Sequence, residues 1–213
     1  VLLMKKLDAA ILAGALALGC SHAHALSLDL IEGADDPLAE LVAALLAPGS
    51  GITVTNTAFV GRVGDGVDPN TAQSATYTDL NLVPNNGGLP TISNPDGIFL
   101  TSGVANIPQT NTDASFDHGS VGVAAPGTGS DADLSQILLD AGAPSSMTND
   151  TNFLEIEFTV APDKTSVEAN FIFASDEFPD QGVTDVLGFF VDGDNFAFFQ
   201  DGSLVSFVQG VNT

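Results

Sequence analysis

A mainly β architecture, a β-sandwich or jelly-roll-like fold with one or two short helices, is predicted by three features of the chain. Leu154, Ile156, Phe158 and Val160 alternate with Glu155, Glu157 and Thr159, which is the period of a strand with one buried and one wet face. Closely spaced apolar stretches near the end of the chain are separated by turn signals, Asp192-Gly193 and Asp201-Gly202. Of the 27 acids, 21 are Asp, a bias that favours turns and oxygen-rich loops over helices.

The first segment reads as an address. Met4-Lys5-Lys6 precedes the apolar run Ala9 to Gly19, and Ala23-His24-Ala25 offers the small residues a signal peptidase accepts. Residues 1–25 are therefore expected to be a secretory signal peptide and are set apart from a single β domain over residues 26–213. A lipoprotein signal is the alternative, because Ala17-Leu18-Gly19-Cys20 is similar to a lipid-attachment box. Loss of the signal removes Cys20, His22 and His24, leaving His118 and no thiol. Disulfides, cysteine nucleophiles and Cys/His zinc sites are thereby excluded from the mature chain.

The elements follow in order. Asp36-Pro37 is an N-cap followed by a residue suited to the first helical position. Leu38, Leu41, Val42, Leu45 and Leu46 then form one apolar helix face that Pro48-Gly49 ends. Ile52 to Val60 is β-branched and Thr-rich and reads as a strand. Residues 61–94 read as a long loop region with one strand near Tyr77 to Val83, followed by a short strand from Gly97 to Val104 and another loop to Gly129. Ser130 and Asp131 cap a second helix whose Leu134, Ile137, Leu138 and Ala141 share a face, with Gly142 as its stop. Val167 to Ser175 and Val186 to Val191 are expected as strands apolar on both faces. Phe196 to Phe199 and Leu204 to Val208 are expected as the last two, with the phenylalanines in the core. The chain stops at Val211-Asn212-Thr213 without turn, cap or anchor, so the natural protein is expected to continue and the domain to be truncated here.

Charge narrows the chemistry. The chain of 213 residues carries a formal net charge of -23, which repels phosphate backbones and anionic lipids, so nucleic acid is excluded as a partner. No transmembrane segment is expected in the mature part. No Gly-x-Ser-x-Gly elbow or phosphate loop occurs, and His118 in a Gly-rich loop reads as solvated rather than catalytic, so an enzyme is not expected. Carboxylates on or beside strands, Glu155, Glu157, Asp176 and Glu177, leave a secreted hydrolase open. A chain with no Trp and one Tyr lacks the usual aromatic platforms for sugars. Calcium is the better cofactor expectation. Asp176, Glu177 and Asp180 end an apolar strand and Asp185 precedes the next, and hard cations take oxygens delivered by such loops. The expected metal ligands are Asp176, Glu177 and Asp185, with Asp131 and Asp133 as additions. The equal alternative is a solvated acidic rim.

At these residues the chain resembles the choice-of-anchor L domain family of exported bacterial surface modules. That family's Phe-Ala-Ser-Glu-Glu-Tyr-Pro and Asn-Asp-Val-Phe-Gly-Phe-Phe runs are similar to Phe173-Ala-Ser-Asp-Glu-Phe-Pro179 and Thr184-Asp-Val-Leu-Gly-Phe-Phe190. Asp96-Gly-Ile-Phe-Leu-Thr-Ser-Gly103, Ser130-Asp-Ala-Asp-Leu134, Leu154-Glu-Ile-Glu-Phe158 and Asn195-Phe-Ala197 are further matches, in order from about Leu38 to Asn212. The resemblance implies a secreted, cell-surface or matrix location, with sorting tails such as PEP-CTERM segments downstream. The expected function is a non-enzymatic adhesion or matrix module stiffened by calcium, whose surface or matrix ligand includes glycans among its candidates. A carbohydrate-binding module is the alternative, and a carboxylate-dependent secreted hydrolase the third reading.

Overall fold

The computed structural model describes residues 2–5, 27–31, 35–62, 72–82, 92–103, 105, 128–144, 147–175 and 184–208. In chain order their elements are β1 (Leu2–Lys5), β2 (Ser27–Leu30), α1 (Pro37–Leu45), β3 (Ile52–Val60), β4 (Ser74–Leu82), β5 (Ile92–Leu100), α2 (Ala132–Asp140), β6 (Phe153–Val160), β7 (Asn170–Phe173), β8 (Thr184–Val186), β9 (Phe190–Val191), β10 (Asp194–Asn195) and β11 (Ser206–Val208). The fold is mainly β and sandwich-like, as the sequence predicts. A five-stranded sheet runs β2-β4-β5-β1-β7, and β3–β6, β8–β11 and β9–β10 form separate antiparallel pairs.

Alternation along β5 sorts the core into two faces. Ile98 and Leu100 point to one side, where Ile31, Leu41 and Leu45 are buried with them and Ile52, Phe59, Leu154 and Ile156 close over the cluster from the β3–β6 ladder. Phe99 points to the other side and is buried with Ala75, Tyr77 and Leu80. Helix α1 belongs to the first face because its apolar residues recur at helical spacing and its start is capped. Asp36 Oδ1 accepts from the Ala39 N–H at 3.1 Å. Each fully buried leucine or isoleucine here contributes about 1.5–3 kcal/mol of transfer free energy.

Several strand limits differ from those read off the sequence, each for a local reason. β5 begins at Ile92 rather than Gly97 and so contains Pro95, which has no N–H to give to a ladder. The ladder pairs Thr78 with Asp96 and Leu80 with Asn94 but skips the step between, where Asp79 adopts φ 63. The sheet thus places its irregular residue opposite its proline. The expected strand Val167 to Ser175 shortens to β7, where Phe171, Ile172 and Phe173 pack in succession against the buried clusters, while Val167 stays exposed. The expected strand Val186 to Val191 breaks at Gly188. A Cβ there would lie 2.3 Å from the Phe190 ring and 3.0 Å from Leu134, so the chain bends where only glycine admits that ring.

Inside the stretch set apart as an export signal, Leu2–Lys5 form β1, seated between β5 and β7 and antiparallel to both. The physical basis is general: two facing strand edges offer hydrogen bonds on both sides to an extended segment. Among the described residues no helix is long and apolar enough to cross a membrane.

Candidate interaction surface

Two regions gather polar or aromatic side chains in ways the core does not require. One is a buried junction where the ends of β3 and β5 meet the starts of β4 and β6. Gln73 is wholly buried and its amide is fully used. Its Oε1 accepts from the Arg62 N–H at 2.9 Å, and its Nε2 donates to the carbonyls of Asp150 at 3.1 Å and Ser102 at 3.3 Å. Asn152 completes the junction, its Nδ2 donating to the Gln73 carbonyl at 2.7 Å, to Ser74 Oγ at 3.0 Å and to the Thr101 carbonyl at 3.2 Å. Gly61 makes room for it, since a Cβ there would meet Asn152 Oδ1 at 2.7 Å. This junction ties the β3–β6 ladder to the large sheet and has a structural task.

The second region is the tip formed by β9, β10 and the chain beyond. Asp192 and Gly193 both have positive φ, 51 and 90, the two-residue turn whose twist matches antiparallel strands. Asn195 then fixes the exit: its Oδ1 accepts from the Phe189 N–H at 3.1 Å and the Ala197 N–H at 3.0 Å. Ala197 is thereby turned inward onto Leu187 and Val205, and the two-residue period turns Phe196 and Phe198 outward. A second turn closes the tip, with Ser203 donating from both N–H and Oγ to Asp201 Oδ1 at 2.9 and 2.6 Å. That hydrogen bonding from Ser203 holds the exposed Asp201 carboxyl below its ordinary pKa. The result corrects the assignment of these phenylalanines to the core. Phe196, Phe198 and Phe199 are 57%, 47% and 43% exposed, and Val191 beside them is 38% exposed. The physical reason is the small Ala197, which alone of the four residues 196–199 is buried.

The expected metal ligands are placed as follows. Asp131 is the N-cap of α2, its Oδ1 accepting from the Leu134 N–H at 2.9 Å, with its own N–H on Thr148 Oγ1 at 2.9 Å. Asp133 is exposed in the first turn of α2, where a negative charge suits the helix dipole. Asp185 lies in β8 and its Oδ2 accepts from Ser175 Oγ. Asp176 and Glu177 lie outside the described residues, as does His118. Among the described residues no group of three or more His, Cys, Asp or Glu side chains could hold a metal ion, so Asp131, Asp133 and Asp185 are not brought together. Glu155 and Glu157 line a shallow, open recess with Asn56, Thr57 and Ala58 on the outer side of the β3–β6 ladder, and Asn56 Nδ2 donates to Glu157 Oε1 at 3.3 Å.

A model of the choice-of-anchor L domain matches residues 32–211, and the match takes in every element from α1 to β11. The chain belongs to the choice-of-anchor L family. Comparison with curated proteins and with solved structures gave no match. Membership points to a cell-surface or secreted module. Both the buried junction and the phenylalanine tip lie inside the matched choice-of-anchor L region, whereas β1 and β2 precede it.

Proposed function

We propose that this choice-of-anchor L domain is a non-enzymatic adhesion module of an exported protein, and that the Phe196–Phe199 tip is its contact surface. The exposure of three phenylalanines on one rigidly turned tip carries this reading. Apolar side chains held out in water by two hydrogen-bonded turns cost stability, and three exposed aromatic rings within four residues favour a surface for another molecule. Aromatic rings are also the surface on which sugars stack, so a glycan is the second candidate ligand, favoured by the same side chains. A hydrolase finds less support, because Glu155 and Glu157 line an open recess rather than an enclosed cavity. Binding of the chain to whole cells, matrix material and a glycan array tests the reading, with Phe196→Ser and Phe198→Ser combined as the comparison. Loss of binding in the variant supports it, and unchanged binding removes the tip from the function.

Calcium is part of the proposal in a narrower form. The Ser175–Asp185 hydrogen bond draws Asp185 to the residue that precedes Asp176 and Glu177 in the chain, which favours Asp176, Glu177 and Asp185 as a common oxygen set. Asp131 already spends its carboxylate on the helix cap, and Asp133 stands exposed beside it. Calcium should raise the melting temperature above that in sodium chloride of matched ionic strength, and Glu177→Gln should remove the difference. Equal effects of the two salts leave the acids as a solvated rim.

A further inference from the structure

We infer that the slot between β5 and β7 is a strand-acceptor site that takes an extended apolar peptide segment followed by basic residues. The inference does not rest on the phenylalanine tip. β5 and β7 are both antiparallel to β1, hence parallel to each other and separated by two strand spacings, roughly 10 Å. A gap of that width leaves the facing N–H and C=O groups of two strands unjoined unless a third strand enters.

Two observations and one expectation from the sequence favour the slot as a property of the domain and its filler as exchangeable. β5 and β7 lie inside the family match, residues 32–211, while the segment seated between them, Leu2–Lys5, lies outside it. Among the described residues β7 has β1 as its sole ladder partner, yet its side chains are already anchored: Phe171 and Phe173 pack on one face, and Ile172 on the other. The slot therefore has both walls positioned by packing rather than by its occupant. The occupant also sits within the predicted export signal, whose removal would open the slot in the mature domain.

Register and charge define the ligand. In backbone register Leu2 pairs with Leu100 and Phe173, Leu3 with Phe99 and Ile172, Met4 with Ile98 and Phe171, and Lys5 with Gly97 and Asn170. Apolar residues thus line the slot on both walls up to its last step. Beyond that step lie Asp96 within β5 and Glu168 in the chain leading into β7, two residues before Asn170, in a chain of net charge -23. The polarity is fixed accordingly: an apolar run first, then lysine or arginine at the acidic end, with backbone pairing supplying affinity and the charges supplying direction.

The test uses the full chain with Leu3→Pro and Met4→Pro combined. Successive N–H groups of a strand point to opposite neighbours, so the pair removes one donor toward each wall. Hydrogen exchange of the β7 amides should speed up by about tenfold or more, while the β3–β6 amides keep their protection. Adding the peptide Val-Leu-Leu-Met-Lys-Lys should restore β7 protection, and a version with Glu in place of both lysines should bind about tenfold more weakly at low salt. If the variant loses protection everywhere, rescue by the peptide supports the site and failure of rescue overturns it. Unchanged β7 exchange in the folded variant overturns it. Recovery of protection on raising protein concentration without peptide also overturns it, because a second copy is then the occupant.

Discussion

The buried junction at Gln73 and Asn152 and the exposed tip at Phe196 to Phe199 are built from the wrong residues for their places, and they differ in what compensates. At the junction the wholly buried Gln73 and the half-buried Asn152 find their hydrogen-bond partners at the ends of four strands. At the tip three large apolar rings stand in water, and the hydrogen bonds of Asn195 and Asp201 hold the turns without covering the rings. The first arrangement is satisfied within the chain; the second, on the proposed reading, is completed by a partner. Stability should therefore depend on the junction and binding on the tip.

The largest expected stability effect follows from the junction. Gln73→Leu keeps the bulk but strands the Arg62 N–H and the carbonyls of Ser102 and Asp150, and should cost about 3 kcal/mol, read as a lower urea midpoint. A loss below about 0.5 kcal/mol would show that water reaches these groups and that the junction is no different from the surface. Next in size is Asp131→Ala, which removes the α2 cap and should cost about 1 kcal/mol equally with calcium and with chelator. A loss seen only with calcium present would return Asp131 to the metal ligands.

Tyr77 extends the comparison to pH. Burial first, and the Asp96 charge second, raise its phenol above the ordinary value near 10. Its stabilising contribution is thus fully present below pH 10 and lost as pH rises above it, because the unfolded chain ionises first. Tyr77→Phe should flatten the alkaline limb of a stability-against-pH curve. The smallest effect belongs to the tip: the Asp201 carboxyl is lowered, so its contribution is present above the unfolded value and fades as pH falls through the folded one. Asp201→Asn should alter only the acid end of that curve, slightly.

The two helices and the alternating strand were legible because caps and periodicity are local. Asp36, Asp131 and Gly142 mark their boundaries, and Leu154 and Ile156 turn inward as their spacing demands, Phe158 is half-buried, and Val160, expected on the same buried face, is exposed at the strand's end. The junction was not legible. Gln73 and Ser74 lie in a stretch whose Gly, Asn, Asp and Thr read as loop, and their partners at 101, 102, 150 and 152 are distant in sequence. A buried glutamine has no sequence signature beyond its hydrophobic neighbours. The tip was read with the opposite sign, since Phe-Ala-Phe-Phe is apolar throughout and only the fold decides that Ala197, the smallest of the four, faces in. The alternation of small and large residues there was the available signal.

On the proposed reading the phenylalanine tip is held out for a partner at no benefit to the fold. The most direct measurement is the urea midpoint of the full chain with Phe196→Ser and Phe198→Ser, taken beside its binding to cells or matrix material. The stability derived from that midpoint should stay within about 0.5 kcal/mol of the parent, or rise slightly above it, together with loss of binding. A drop of about 2 kcal/mol or more with binding retained would contradict it, since the rings would then be packing against the domain itself.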